Sequence, residues 1–444
     1  MPYGLNIGAF LPALLLGVVS PAASGEAPSA RPAAPHALVP AASPEEVGFD
    51  RTRLKRLDDF IARSVVDGKF AGATTLLARH GRIVSFATYG RKTAGGEPIA
   101  RDTIFRIYSM TKPVTGVALM MLFEEGRFRL DDPVTLYIPE FKALKVMTGV
   151  DAAGRPVIED MKRPPTMREL MSHTAGFGYG LSPDTPADRI YRENGALNAA
   201  GMEQFIKRAS QLPLLFQPGT SFQYSLSVDI QGYLVEKLSG QPFGQFLEER
   251  IFRPLGMKDT GFSLRRDQLP RLAGLYVGGK NGGLEEAREV FGWPRPDPGR
   301  PPTFESGGAG LFSTTMDYAR FAQMLLNGGE LDGVRILSPA TVALMATNAL
   351  PDEVLKAGAG GFGRARGFGL NVDVLTDPAA AGSLAGTGTY SWGGAAGTWF
   401  WIDPANDLIF VGMVQRLDYW QADHPNNMSR TLTYQALTRP DPGR

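Results

Sequence analysis

Cysteine is absent from the 444 residues, and with it go disulfides, thiolate nucleophiles, iron–sulfur clusters and cysteine-held zinc. Histidine is scarce: the four residues at 36, 80, 173 and 424 lie too far apart to form a local metal cluster. No charge of either sign is in excess, since 46 basic and 45 acidic side chains leave a formal +1. Without a Lys/Arg block there is no field to hold phosphate backbones or anionic lipid, so nucleic acid and the membrane surface are not expected partners. The chemistry must come from oxygen and nitrogen side chains, and no cofactor is called for. What is present is an ordinary globular balance, 43% hydrophobic and 10% aromatic. At roughly 100 to 200 residues per domain, the length allows two or three domains or one large one with an insertion.

The chain opens with an apolar stretch from Ile7 to Val19, followed by small residues from Ser20 to Gly25. The stretch falls short of the roughly 20 residues a spanning helix needs, and a signal peptidase could cut after it. Residues 1–24 are therefore expected to be an export signal, leading to the periplasm or exterior with no membrane attachment after processing; the alternative is an uncleaved anchor. Residues 25–43, rich in Ala and Pro, read as a flexible leader, with folded structure beginning near Pro44.

A helical pattern over Phe49–Val66 precedes two strand patterns, Thr74–Arg79 and Ile83–Tyr89, around a His80-Gly81 turn. A second strand pair, Thr398–Ile402 and Leu408–Val414, is followed by a helix over Met428–Leu437. Between these ends the periodicities are helical, over Val114–Glu124, Val228–Leu238, Phe243–Ile251 and Thr315–Leu326. Strand-forming ends around a helical middle predict an α+β body whose termini share one antiparallel sheet. Residues 44–110 and 300–444 are assigned to it, and 111–299 to a mainly helical domain across a cleft. The Gly/Pro-rich stretches 278–310 and 357–398 read as long surface loops at its rim.

Among the lysines, Lys112 alone has a serine three residues before it, in Tyr108-Ser109-Met110-Thr111-Lys112-Pro113. A bare S-x-x-K arises often by chance, so the context carries the argument. Ile104–Tyr108 reads as a strand, and Val117–Phe123 as a buried helix that stops at Gly126. Pro113 lacks an N–H, which is tolerated in a first turn, so the helix must begin close to Ser109. Residues three apart share a face, which puts the Lys112 amine within reach of the Ser109 hydroxyl. A helix N-terminus favours developing negative charge, and a desolvated lysine can serve as a base.

Together these segments resemble the serine hydrolases of the β-lactamase and penicillin-binding-protein fold, and specifically the class C β-lactamase-like carboxylesterases called family VIII. The likeness spans nearly all of residues 45–437. It is carried by Phe105-Arg106-Ile107-Tyr108-Ser109-Met110-Thr111-Lys112, Leu130-Asp131-Asp132-Pro133-Val134 and Leu170-Met171-Ser172-His173-Thr174-Ala175-Gly176-Phe177. Further on come Phe216-Gln217-Pro218-Gly219-Thr220, Tyr224-Ser225, Pro254-Leu255-Gly256-Met257-Lys258-Asp259-Thr260 and Trp392-Gly393-Gly394. The resemblance implies that Tyr224-Ser225-Leu226 stands where the family has Tyr-x-Asn, making Tyr224 the general acid/base; whether it or Lys112 is the base stays open. It also implies an oxyanion hole formed by the backbone N–H groups of Ser109 and Ala395, beside Trp392-Gly393-Gly394 where lactamases carry Lys-Thr-Gly. Paired glycines suit a backbone that approaches the acyl group closely.

Leu226 and Trp392-Gly393 can neither bind an amide nor pair with a substrate carboxylate, as the lactamase residues do. Phe177, Tyr179, Leu226, Trp392, Gly393 and Gly394 are expected to line a pocket for a neutral acyl or alkoxy group, with Arg364 and Arg366 available to restore anion binding. The expected activity is hydrolysis of short neutral esters, a small-molecule substrate, through an acyl-enzyme on Ser109. A β-lactamase, a D-amino-acid peptidase, an acyltransferase and a slowly deacylating penicillin-binding module share the same residues and remain alternatives. A Ser-His-Asp enzyme of the α/β type is disfavoured, because G-x-S-x-G does not occur and His173 reads as a structural hydrogen-bonding residue.

Overall fold

The computed structural model describes residues 37–152, 155–181, 185–279, 282–418 and 424–439. The expected export signal over 1–24 and most of the leader lie outside the described residues. The chain ends meet as expected: Gly72–Arg79 pairs antiparallel with Leu408–Met413, Leu76 opposite Val411. They form the centre of an eight-stranded sheet, ordered Val39–Pro40, Arg82–Gly90, Gly72–Arg79, Leu408–Met413, Thr398–Asp403, Tyr390–Gly394, Asp373–Leu375 and Arg366–Phe368.

Both faces of the central strands are covered, which is why Thr398–Asp403 and Leu408–Met413 are buried at every residue. Side chains alternate across the sheet, so Trp399, Trp401, Leu408 and Phe410 face one layer, Phe400, Ile402, Ile409 and Val411 the other. The first layer holds the helix Arg51–Val66, whose Leu54, Leu57 and Ile61 form a single stripe and whose N-cap Asp50 accepts from the Arg53 N–H. The second holds Thr315–Leu326, capped by Thr314, with Tyr318 against Phe400 at 5.0 Å between ring centroids. Beyond it the helix Thr111–Glu124 is buried on all sides from Thr111 to Leu122, as an apolar run without an amphipathic face requires. It packs against the helix Ser227–Ser239.

The structure departs from the sequence reading in local detail. Order begins before Pro44, because Val39–Pro40 pairs in parallel with Arg82–Gly90. The strand expected over Ile104–Tyr108 is only Ile104–Arg106, and it pairs with Phe312–Thr314 outside the main sheet. The Gly-rich stretch 357–398 holds three strands of that sheet, two of them joined at Asn371, whose φ of 67° makes the reversal. Short strands dense in glycine carry too little alternation to be read as strands. The helix from Phe243 is α only to Leu247 and then widens into a π turn, with the Arg253 N–H bonded to the Glu248 carbonyl at 2.9 Å. The terminal helix runs Pro425–Tyr434 rather than 428–437, because Pro425 suits a first helical position and the His424 Nδ1 accepts from the Asn426 N–H.

Trp401 lies flat on Phe410, 4.2 Å between ring centroids and 4° from parallel, in the layer under the first helix. Trp401→Ala is expected to lower stability by about 3 to 5 kcal/mol, read as a lower urea midpoint at unchanged m-value.

Candidate active site

The nucleophile turn is built by a backbone that cannot continue as strand. After Arg106 the chain turns at Ile107, and Tyr108 adopts a φ of 43°, a left-handed conformation costly for a bulky residue. Ser109 follows in a single 3-10 turn, Tyr108–Met110, that leads directly into the helix Thr111–Glu124. Pro113 sits in its first turn, where its missing N–H costs nothing. The strand Tyr390–Gly394 presses on this turn from the sheet. A Cβ on Gly394 would stand 2.1 Å from the Ile107 carbonyl oxygen and 2.3 Å from Thr398 Oγ1. Glycine is needed there for contact with the backbone two residues before the nucleophile.

Ser109, Lys112 and Tyr224 come together as the sequence predicts. The Tyr224 hydroxyl donates to Ser109 Oγ at 2.7 Å, and Lys112 Nζ stands 3.4 Å from the same oxygen. Lys112 is fully buried; its ammonium also donates to the Gly308 carbonyl at 2.8 Å and lies 4.5 Å from the Tyr224 ring centroid. Tyr179, expected as a pocket wall, reaches the same ammonium, with its hydroxyl 3.5 Å from Nζ. Burial pushes the Tyr179 phenol well above its ordinary value, reinforced by the Asp229 and Tyr224 charges, so Tyr179 remains a neutral phenol.

Tyr224 is held from both sides. The Gln223 N–H donates to the His173 carbonyl and the Leu226 N–H to the Gly178 carbonyl, each at 3.0 Å, before the helix Ser227–Ser239 begins. His173 shares a hydrogen bond with Ser225 through Nδ1 at 2.9 Å, and its ring lies 5.0 Å from that of Tyr224. Burial first, and the Lys112 charge second, hold its imidazole well below the ordinary range and therefore neutral. Among the described residues the side chains hydrogen-bonded to Ser109 Oγ are Lys112 and Tyr224, not His173.

Sequence reasoning missed Asp229. It sits fully buried in the first turn of Ser227–Ser239, and its Oδ1 accepts from Ser306 Oγ at 2.5 Å and from the Gly308 N–H at 3.0 Å. The signal in the sequence was an acid flanked by Val228 and Ile230 inside an apolar helix. The close approach is possible because position 308 is glycine: a Cβ there would meet Asp229 Oδ2 at 2.7 Å.

A cavity of about 820 Å³ opens at these groups. Ser109, Tyr179, Tyr224, Trp392, Gly393 and Ala395 line it, as expected, whereas Phe177, Leu226 and Gly394 do not. Phe177 is buried against Phe141 in the core, Leu226 is buried below the helix start, and Gly394 is turned to Ile107. The stretch expected to rim the cleft does so through Val290, Phe291, Pro296, Pro301, Pro302 and Phe304. Arg364 and Arg366, expected to be available for anion binding, do not line the cavity and are paired with Asp377 and Asp373. The wall is mainly apolar, with Arg106, Asp297, Arg300 and Asp373 among its charged residues.

Residues 57–435 match the protein family described as Beta-lactamase. The chain is 40% identical over 362 residues to Protein Rv1367c of Mycobacterium tuberculosis, covering 80% of this chain and 88% of that one. It is 32% identical over 371 residues to Esterase EstB of Burkholderia gladioli, covering 80% and 88% of the two chains. Among solved structures, EstCE1, a hydrolase with promiscuous acyltransferase activity, superposes with a TM-score of 0.73 at 27% identity, over 86% of this chain and 99% of that one. The α+β fold expected from the strand-rich ends is thus the β-lactamase-like one. Kinship over that length, with an esterase and a hydrolase among the relatives, means that the chain belongs to the Beta-lactamase family and is a serine hydrolase.

Proposed function

We propose that the protein is a carboxylesterase that cleaves neutral esters through an acyl-enzyme on Ser109. The observation that carries this reading is the 2.7 Å hydrogen bond from Tyr224 to Ser109 Oγ, beside a buried Lys112 ammonium. A phenolate next to an ammonium is favoured by opposite charge, so Tyr224 takes the Ser109 proton as Oγ attacks the ester carbonyl. The oxyanion that forms rests on the N–H groups of Ser109 and Ala395. Tyr224 returns the proton to the departing alcohol, and water repeats the sequence on the acyl-enzyme.

The polarity of the cavity supports neutral substrates. The family's carboxylate-binding Lys-Thr is replaced by Trp392-Gly393, and the arginines of the neighbouring loop are already paired. Short acyl chains fit with room to spare, and a volume of about 820 Å³ also admits larger apolar groups. An acyltransferase would use the same acyl-enzyme with an alcohol in place of water, and the promiscuous transfer named for EstCE1 favours this as the second reading. Export to the periplasm or the exterior remains part of the proposal on the sequence of residues 1–24.

Steady-state rates on p-nitrophenyl acetate and butyrate are expected to exceed those on a cephalosporin and on a D-alanyl peptide; preference for either of the last two overturns the ester assignment. Ser109→Ala should abolish both turnover and the mass increase produced by a fluorophosphonate probe. Tyr224→Phe and Lys112→Met should each lower kcat by about 100- to 10,000-fold. His173→Ala should retain far more activity than Ser109→Ala, and the reverse ranking would favour a histidine triad. Gly394→Ala, by pushing on Ile107, should depress kcat with the cavity walls intact, measured on the same esters at saturating concentration.

A further inference from the structure

We propose that Asp229 is the counter-charge of the Lys112 ammonium and a positioning residue for proton transfer at Ser109, a role that rests on the acyl-transfer reading above. The side-chain and backbone atoms that accept from Lys112 Nζ, those of Ser109, Tyr179 and Gly308, are all neutral oxygens. An ammonium taken wholly out of water needs a negative charge close by. Asp229 supplies it across one residue: the Gly308 N–H donates to Asp229 Oδ1, and the Gly308 carbonyl accepts from Lys112. The second carboxylate oxygen, Oδ2, is buried and has no hydrogen-bond partner among the described residues. The arrangement leaves Oδ2 to act through charge rather than through a bond of its own.

The titratable groups around this carboxylate are Lys112 on the nucleophile helix and Tyr179 on the segment after Met167–Met171, with Tyr224 against both. Burial pushes the Asp229 carboxyl above its ordinary value, and the Lys112 charge, the Ser306 hydroxyl and the Gly308 N–H oppose that push by favouring the ionised form. An ionised Asp229 favours the protonated state of every neighbour. Linked to Lys112 through Gly308, that charge holds the proton of the pair on the amine, so that Tyr224 rather than a neutral lysine is left as the base.

The rate at which a fluorophosphonate labels Ser109, followed by intact mass from about pH 5 to 10, reads that proton without reference to any ester substrate. Asp229→Asn keeps the shape and removes the charge. It should move the acid limb of the profile down by roughly one pH unit or more and lower the plateau rate at least about tenfold. Asp229→Glu keeps the charge and should keep the limb in place. An unmoved limb in Asp229→Asn, whatever its plateau, or an equal movement in Asp229→Glu overturns the proposal. Should Asp229→Asn fail to fold, Ser306→Ala, which removes one hydrogen bond to the ionised carboxylate, must move the limb in the same direction by less; no movement overturns the role. Wild-type protein that is not labelled at Ser109 overturns the acyl-transfer reading and this role with it, whereas labelled wild type with an unmoved limb overturns only the assignment of Asp229.

Discussion

A lysine ammonium with no exposure to water is the constraint around which the active site is organised. Its burial follows from its place in the first turn of a helix whose neighbours are apolar on every side, so the charge cannot escape along its own stem. Moving such a charge from water costs several kcal/mol unless hydrogen bonds and opposite charge offset it. The compensation comes from segments far apart in the chain: Ser109 and Lys112 itself, Tyr179, Tyr224, Asp229 and Gly308. No one of these segments supplies it alone. The same demand that stabilises the ammonium also delivers two phenols and a hydroxyl to one point, so that structural necessity and chemical readiness are one arrangement.

Close backbone contact is what lets these segments converge. Gly394 lets a sheet strand press on the Ile107 carbonyl just before the nucleophile, and Gly308 lets the loop before Phe312–Thr314 touch Asp229. Tyr108, forced into a left-handed conformation, turns the chain between the two. The strain at Tyr108 is maintained by packing of its ring against Leu275, Ala287 and Ala396, where burial also raises the phenol to about 12 and keeps it neutral. The nucleophile is thus aimed by a residue that takes no part in moving its proton.

How much of this could be read beforehand depended on whether the signal was local. The helices Arg51–Val66, Thr111–Glu124 and Thr315–Leu326 and the two central hairpins carry strong periodicity and turn residues, and the sequence located them closely. The Ser109–Lys112 pair was legible because spacing on a helix fixes distance. Tyr224 was legible through resemblance, since nothing in its own neighbourhood tells which phenol will meet a lysine more than 100 residues away. Asp229 was missed because an acid in an apolar helix is informative only when its partner is known, and that partner is a loop glycine. The strands Arg366–Phe368 and Asp373–Leu375 were missed because three-residue edges lack alternation, and Val39–Pro40 because two residues in a parallel pair leave no pattern, whereas the strand at Trp392-Gly393-Gly394 was legible through the resemblance.

The pocket residues show where local reasoning gives out. Leu226 was placed at the substrate because the family has an amide there, yet in this chain its side chain is buried below the start of Ser227–Ser239 and its N–H is spent on Gly178. The polar function vacated at that position does not pass to another side chain of the same turn; the cavity instead gains its wall from the proline-rich stretch 290–304 and from Trp392. The part of the wall made of prolines and aromatic rings has few donors or acceptors to select by hydrogen bonding, and selects by shape, with Arg106, Asp297, Arg300 and Asp373 as the charged groups beside it. Selection of that kind grades neutral substrates weakly by size, which is the physical argument behind the ester hydrolysis proposed above.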